Sequence, residues 1–590
     1  MAAPGDNSWD VIVIGSGLGG LTSAAYLTAG GLRTLVLEKN QVAGGCSQVF
    51  RRAGNKYEFD VGVHYIGECH PEGAITMALH GLGLDTKIEF RELDPDGFTT
   101  LVFPGLTFRV PRGWDAYLER LIAAFPGEER RLRVCIGVFR RIAEERRRGR
   151  PGPGVLGKLA WARRAPVIAT IGMLPVIRLF QACGLSQLAR AVILGESGDY
   201  GAPPSRAPIA LHAGLLNLFL DGGAYYPRGG GQVMAAHLID VIQTHGGQVR
   251  TKARVERIVV DGGRAVGVRL SGGETIKAAT VISNADIKRT YLELVGRAHL
   301  SARTVRRVEK YRMALPFFSV YLGLDIDLAG QLPNTTYWCH PHADIESSYR
   351  SAYTGELPAE LPIFLTSAAT KDPGNPRSAP PGHSTVEVMT LVSPDYSFWR
   401  ITGGPAAGQE YSRSPDYLEI KERITEALID RASTVIPGLR EHIVWREAST
   451  PVTQERFTLS TGGACYGLEL ATDQIGLRRP GARTEIAGLY LTGASTVWGP
   501  GINGAVTGGI GTAGAVLGRD LAAEVKAGRV FADPARLTDT GQDWDPLAAS
   551  RPSSPIRRPA ARSRPAEPGG SLPGQPGSGR RDSGAVPQPR

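Results

Sequence analysis

Trp9-Asp10-Val11-Ile12-Val13-Ile14-Gly15-Ser16-Gly17-Leu18-Gly19-Gly20 decides the fold of this 590-residue chain. Val11 to Ile14 are four β-favouring residues in a row and predict a buried strand, with Gly15, Gly17 and Gly20 forming the G-x-G-x-x-G that follows it. The first glycine allows a tight turn, the second lets the backbone approach a pyrophosphate, and the third lets the next helix pack close to the strand. That helix presents free N–H groups and the positive end of its dipole to phosphate. A second β-rich run, Thr34 to Leu37, ends at Glu38, where an acid can accept hydrogen bonds from a ribose. Strand, glycines, helix, strand and acid arrive in order, which sets aside an ordinary glycine turn in a βαβ unit.

Length calls for more than one core. Apolar residues at 42% and charged residues at 21% fit a globular protein. The first eight residues lack a basic stretch followed by an apolar one, and no apolar run reaches the ~20 residues of a spanning helix, so a cytoplasmic protein is expected. Cys46, Cys69, Cys135, Cys183, Cys339 and Cys465 lie singly, which fits reduced thiols and neither a zinc site nor a disulfide framework. His340 and His342 have no acidic or Cys partner at ligand spacing, so no metal is expected. The formal charge of +10 is concentrated at the end: eight arginines from Arg551 to Arg590 against Glu567 and Asp582 carry +6 of it. The body is nearly balanced and no nucleic-acid partner is expected. Residues 529–590 read as a disordered tail rich in Pro, Gly, Ser and Arg.

Outward from the first stretch come Val42-Ala43-Gly44-Gly45-Cys46-Ser47 and Phe59-Asp60-Val61-Gly62-Val63-His64-Tyr65-Ile66-Gly67-Glu68. Paired glycines and a short hairpin suit backbone passing close to a flat ligand. These strings resemble the all-trans-retinol 13,14-reductase, carotenoid isomerase and phytoene desaturase family of FAD-dependent oxidoreductases. Flavin amine oxidases carry Arg after the paired glycines, and Cys46 in that place counts against their branch. The Tyr225-Tyr226-Pro227-Arg228-Gly229-Gly230 segment resembles the same family. Gly229 to Gly231 follow no strand and precede no Lys-Ser/Thr, so they read as a helix-entry turn rather than a phosphate loop. Gly493-Ala494-Ser495-Thr496-Val497-Trp498-Gly499-Pro500-Gly501 resembles the family's C-terminal flavin motif, with Val497-Trp498 where the desaturases often have His-Pro. A helix starting near there can stabilise negative charge on a reduced isoalloxazine.

The resemblance implies an α/β fold: a Rossmann-like FAD-binding domain from residues 9–69, 221–299 and 456–528, with a mixed α+β substrate domain from 70–220 and 300–455. It implies FAD held at Gly15, Gly17, Gly20, Glu38, Lys39, Gly45, Cys46, Val255, Gly493, Thr496, Gly501, Ile502 and Asn503. Ala494 replaces an Asp that holds the ribityl chain in many flavoproteins, leaving Ser495 or Thr496 for that task. His64, Tyr65 and Glu68 are the candidates for proton handling, and packing in their hairpin is their alternative role. The expected chemistry is hydride transfer at flavin N5 to or from the C–C/C=C bonds of an apolar polyene, retinoid-like or carotenoid-like. Desaturation and cis–trans isomerisation are the alternatives, and a non-redox lipid carrier of the GDP-dissociation-inhibitor fold is a third. With one complete dinucleotide fingerprint, electrons are expected from an external donor, a partner protein or the substrate.

Trp161 to Phe180 is apolar, interrupted by Pro175 and Arg178, and flanked by Arg146 to Arg148, Arg150, Lys158, Arg163 and Arg164. Two readings stand: a buried helix pair, or a segment lying on the inner face of a membrane with Ile168, Ile171 and Leu174 in the acyl boundary.

Overall fold

The computed structural model describes residues 8–149, 154–541 and 543–552. Arg150, most of the N-terminal stretch read for a signal, and the Arg-rich end beyond Pro552 lie outside the described residues.

Strand Ser8–Ile14 runs at the centre of a seven-stranded sheet. Thr34–Leu37 and then Gln248–Arg250 lie parallel on one side, with Thr275–Ser283 and Leu489–Leu491 parallel on the other. The beginning of Thr275–Ser283 also pairs antiparallel with Arg264–Leu270, which pairs in turn with Val255–Asp261. The run Val11 to Ile14 is unbroken by polar residues because both faces are covered. Val11 and Val13 enter a core shared with helices Leu18–Ala29, Gln232–Thr244 and Gly501–Leu517, while Ile12 and Ile14 enter the core beneath the antiparallel strands. Helices Leu18–Ala29 and Gly501–Leu517 meet through small residues: a Cβ on Gly509 would stand 2.6 Å from Thr22 Cβ.

A second seven-stranded sheet has the order Ile443–Ser449, Phe317–Leu324, Ser384–Leu391, Ile363–Thr366, Thr336–Cys339, Thr99–Phe103, Leu106–Val110. Alternation sorts its side chains. Tyr337, Leu365 and Val388 pack toward helix Pro415–Ala432, whereas Trp338, Phe364 and Met389 face a helical layer that includes Glu129–Arg147 and Ile209–Leu220. This is an α/β fold: a Rossmann-like, mostly parallel sheet with a second, mixed sheet and its helices beside it.

Three expectations need correction. Helix Ala74–His80 belongs to the dinucleotide core: Ile75, Ala78 and Leu79 pack with Tyr26, whose hydroxyl donates to Ala78 O at 2.7 Å, so the chain crosses over nearer Leu93 than residue 70. Residues 529–552 are packed, not a tail. Leu547 is buried with Val42 and Val49, Arg51 makes a two-pronged pair with Asp545 (2.7 and 2.9 Å), and Ala43 N–H donates to Ser550 O at 2.8 Å. The segment Trp161–Phe180 is divided among three helices, Gly154–Arg164, Pro166–Thr170 and Val176–Cys183. Ile168 and Ile171 pack against the substrate-domain core, and the exposed apolar side chains are Val155, Leu156, Leu159, Met173 and Leu174.

Candidate functional site

A continuous cavity of about 1930 Å³ runs from Gly15–Gly19 past Glu38 and Val255, between Gly44–Cys46 and Gly493–Gly504, and on into the substrate domain. One drug-sized ligand needs roughly 300–1,000 Å³. This cavity has room for a dinucleotide and a long second ligand.

Two helices begin at its wall. The helix Leu18–Ala29 starts after Gly17 and the helix Gly501–Leu517 after Pro500, and neither has a side-chain cap. Their first N–H groups are therefore free for a ligand, a diphosphate at one and an electron-rich ring edge at the other. Gly15 adopts φ +88° in the turn that joins strand to helix. A Cβ on Gly20 would stand 2.3 Å from Gly15 O, which is the close helix–strand approach read from sequence. Gly17 has a different constraint from the one expected: its Cβ would meet Asn284 Nδ2 at 2.8 Å. Asn284 also approaches Gly493, whose Cβ would meet Oδ1 at 2.3 Å, so its side chain fills the space between the two glycine loops.

Glu38 is buried and organises the same wall. Ser16 donates its N–H and hydroxyl to Oε2 (3.1 and 2.7 Å), and Asn40 donates its N–H to Oε1 (2.8 Å). Ser16 Oγ in turn accepts Gly44 N–H at 3.1 Å. A carboxylate with about four acceptor positions still has one for a ribose hydroxyl. Lys39 lines the cavity but its ammonium donates to Arg456 O at 2.6 Å, and burial lowers its pKa. Val255 opens its strand at the cavity. Cys46 has free surface only where it faces the cavity; the enclosing walls push its thiol up. Asn503 donates to Gly67 O at 2.8 Å, fastening the start of the last long helix to the hairpin end. Thr496 is buried, absent from the cavity wall, and donates to Gly493 O at 2.8 Å; of the two hydroxyls proposed for the ribityl chain, only Ser495 faces the cavity. Arg479, unremarked in the sequence, braces this loop by donating to Thr496 O (2.9 Å) and Ala494 O (2.7 Å).

Of the proton-handling candidates, His64 and Tyr65 line the cavity and Glu68 does not. Glu68 has φ +63° and its carboxylate turns to the N-terminal end of helix Ala74–His80, accepting from Ala74 N–H at 3.4 Å. His64 Nδ1 stands 2.9 Å from Glu387 Oε2. Behind it, Glu387 accepts Asp60 N–H (2.9 Å), Asp60 accepts Gly231 N–H (2.8 Å) and the Tyr226 hydroxyl, and Lys371 donates to His64 O (2.6 Å). Burial, then the charge of Glu387, raises Asp60 to about 6, and burial lowers Lys371 to about 8. Gly229 to Gly231 form the helix-entry turn read from the sequence, but a strand, Ala224–Pro227, does precede them, and their N–H groups also serve Asp372 and Asp60, which the sequence did not show.

Tyr65 donates to Asp199 Oδ2 at 2.5 Å and packs between Phe219 and Phe364, with ring centroids at 4.7 and 6.2 Å. Where the cavity enters the substrate domain its wall is Phe219, Phe364, Trp338, Met389, Leu215, Leu218, Leu470 and Tyr466, and its far end is lined by Trp161, Ile168, Ala169 and Met173.

Residues 18–517 match the family described as flavin containing amine oxidoreductase. The chain belongs to this flavin amine oxidoreductase family. Within it, the chain is 30% identical over 563 residues to all-trans-retinol 13,14-reductase of Homo sapiens, covering 88% of this chain and 87% of the relative. It is 30% identical over 541 residues to prolycopene isomerase 1, chloroplastic, of an Oncidium hybrid cultivar, covering 88% and 85%. Among solved structures it is similar in fold to cyclohexylamine oxidase from Brevibacterium oxydans IH-35A, with a TM-score of 0.54 and 17% identity over 88% of this chain and 99% of that one. A putrescine oxidase has a TM-score of 0.56 at 14% identity, covering 87% and 99%.

The protein is an FAD-dependent oxidoreductase. Its residues fit the cofactor: two uncapped helix ends face one cavity, Glu38 has an acceptor to spare, and glycines keep the intervening loops clear of side chains. Sequence reasoning missed roles for Asn284, Asp199 and Glu196, because each meets a residue far away in the chain, and for Arg479, whose carbonyl partners leave no residue-type signal.

Proposed function

We propose that this enzyme acts on a C–C or C=C bond of an apolar polyene, retinoid-like or carotenoid-like. The observation that carries the reading is the wall of the substrate arm, where Phe219, Phe364, Trp338, Met389, Leu215 and Leu470 predominate over polar groups such as Asp199, Arg146, Ser319 and Gln454. Such a wall binds a long hydrocarbon by excluding water, at roughly 25 cal/mol per Å² of apolar surface removed from it. Bound FAD supplies hydride transfer to or from carbon. The chain's part is to align the bond by contact with Phe219, Phe364 and Trp338, keep water out, and hold a proton at the Tyr65 hydroxyl, with His64 beside it in sequence and also on the cavity wall. Electrons enter from an external donor, since the fold has one dinucleotide fingerprint.

The polyene arrives from a lipid surface. The far end of the cavity lies against helices Gly154–Arg164 and Pro166–Thr170, whose neighbourhood exposes Val155, Leu156, Leu159, Met173 and Leu174 beside Lys158, Arg163 and Arg164. This favours peripheral attachment to an anionic bilayer; no helix among the described residues is long and apolar enough to cross one. The test is product analysis. Enzyme reduced with dithionite and incubated anaerobically with all-trans-retinol or poly-cis-lycopene should yield a saturated or isomerised product by chromatography and mass spectrometry. Unchanged polyenes, with putrescine or cyclohexylamine oxidised instead, would overturn the reading.

A further inference from the structure

Asp199 is a half-buried acid on the substrate arm of the cavity, close to Tyr65. Asp199 ends the short 3-10 turn Ser197–Asp199, and its Oδ2 accepts the Tyr65 hydroxyl at 2.5 Å. Glu196 immediately precedes this turn, 5% exposed and behind the cavity wall, where its Oε1 accepts the Thr99 hydroxyl at 2.7 Å. The turn is held from two sides. Tyr349 donates to Ser197 O at 2.9 Å, and Gly198 lies against Trp338 so closely that a Cβ would stand 2.2 Å from Cη2. Trp338 presents a buried indole N–H toward Tyr65, where it favours the ionised hydroxyl against the raising effect of burial.

The charges around the pair matter. Among the described residues, the titratable groups facing Asp199 are Glu196, Tyr65, Tyr200, Tyr349 and Tyr466; no Lys or Arg forms an ion pair with Asp199 or Glu196. His212, 3.3 Å from the Tyr200 hydroxyl, is lowered to about 4 by burial and stays neutral. Two carboxyl groups so placed cannot both ionise cheaply, because neither has a counter-charge and both have lost water. Burial raises Asp199 to about 7, and burial with the charge of Asp199 raises Glu196 to about 8.

We propose that Asp199 and Glu196 form a proton reservoir, and that Tyr65 is the catalytic residue through which it opens on the substrate. This deepens the polyene reading and rests on it. In the saturating direction the π bond breaks, and a C–H bond forms at each carbon. Two electrons and one hydrogen arrive as hydride from the reduced cofactor, which an external reductant recharges. The proton for the neighbouring carbon leaves Tyr65 Oη, the Asp199 carboxyl proton replaces it, and Asp199 ends as the carboxylate. The indole N–H of Trp338 stabilises the phenolate formed in passing. Glu196 holds the second proton of the reservoir: the charge of ionised Asp199 makes it keep its proton to higher pH.

Infrared titration of the FAD-loaded enzyme tests the reservoir without any substrate. The protonated-carboxyl band should lose intensity between pH 6 and pH 9, and Asp199→Asn and Glu196→Gln should each remove part of that change while flavin content stays at wild-type level. If neither variant alters the titration, both carboxylates are already ionised and the proposal falls. Delivery is tested with dithionite-reduced enzyme and all-trans-retinol. Tyr65→Phe and Asp199→Asn should slow product formation by on the order of 10²–10⁴-fold, and Asp199→Asn should move the remaining Glu196 titration to lower pH. Wild-type rates in Tyr65→Phe would overturn the delivery role. A wild type that leaves retinol untouched yet shows the carboxyl titration would overturn the substrate assignment and keep the reservoir.

Discussion

Replacing Leu156 and Leu159 together by Ser should release the enzyme from anionic vesicles. Their side chains belong to residues that are 82% and 56% exposed, so little of their apolar surface is satisfied by the protein itself. Full burial of a leucine side chain contributes ~1.5–3 kcal/mol. Scaled by those exposures, the pair contributes roughly 2–4 kcal/mol to insertion in the acyl boundary, or about a 30- to 1,000-fold change in partitioning. Lys158, Arg163 and Arg164 add ~1 kcal/mol each at an anionic surface, a part that salt removes and the serine substitutions do not. The assay is co-sedimentation with phosphatidylserine-containing vesicles at low and high salt, with the flavin spectrum as the control for folding. Ile171→Ser is the comparison: Ile171 packs against the substrate-domain core, so this change should lower the melting temperature and leave vesicle binding nearly unchanged. Wild type that does not sediment with vesicles, or a double variant that binds as wild type does, would refute the reasoning.

Glu38→Ala should weaken FAD by at least about tenfold, from the ~1.5–3 kcal/mol of a hydrogen bond to a charged acceptor, since it also frees Ser16 and Asn40 from their shared acceptor; an unchanged affinity in flavin fluorescence titration would contradict this placement. Asp199 and Glu196 both have folded pKa values raised to about 7 and about 8, so they cost stability as pH rises from about 4 through those values. Asp199→Asn should therefore lose less melting temperature than wild type between pH 4 and pH 7, and a parallel loss in both would contradict it. Truncation after Pro552 should leave the melting temperature unchanged, whereas truncation after Gly528 should lower it by exposing the surfaces covered by Leu537 and Leu547.

What was legible in the sequence is what the chain encodes locally. Val11 to Ile14, the glycines and Glu38 interact within one βαβ unit, and their spacing alone predicts the turn, the uncapped helix and the acid at the next strand's end. The second helix end was legible for the same reason, read at about Gly504 where the structure begins the helix at Gly501. Asp199 was not: Tyr65 lies 134 residues away, and Glu196-Ser197-Gly198-Asp199 looks like any polar turn until the substrate domain closes over it. The apolar run Trp161 to Phe180 misled because Pro166 and Pro175 divide it, turning Ile168 and Ile171 inward, while the exposed side chains begin at Val155, ahead of the run. The packed strap after Gly528 has single apolar anchors, such as Leu547 in the four-residue helix Pro546–Ala549, too few to register as a periodic pattern. Thr496 shows a further limit: turn geometry, not residue type, sends its hydroxyl to Gly493 O.

Anaerobic mixing of the dithionite-reduced enzyme with a polyene panel, followed by the visible flavin band, tests the central claim most directly. If the substrate arm presents a C=C bond to the cofactor for saturation, a retinoid or carotenoid should restore the oxidised band, each turnover matched by one product two hydrogens heavier. A band that polyenes leave bleached, without isomerised product, in an enzyme whose oxidised flavin is bleached by cyclohexylamine or putrescine, would contradict the account.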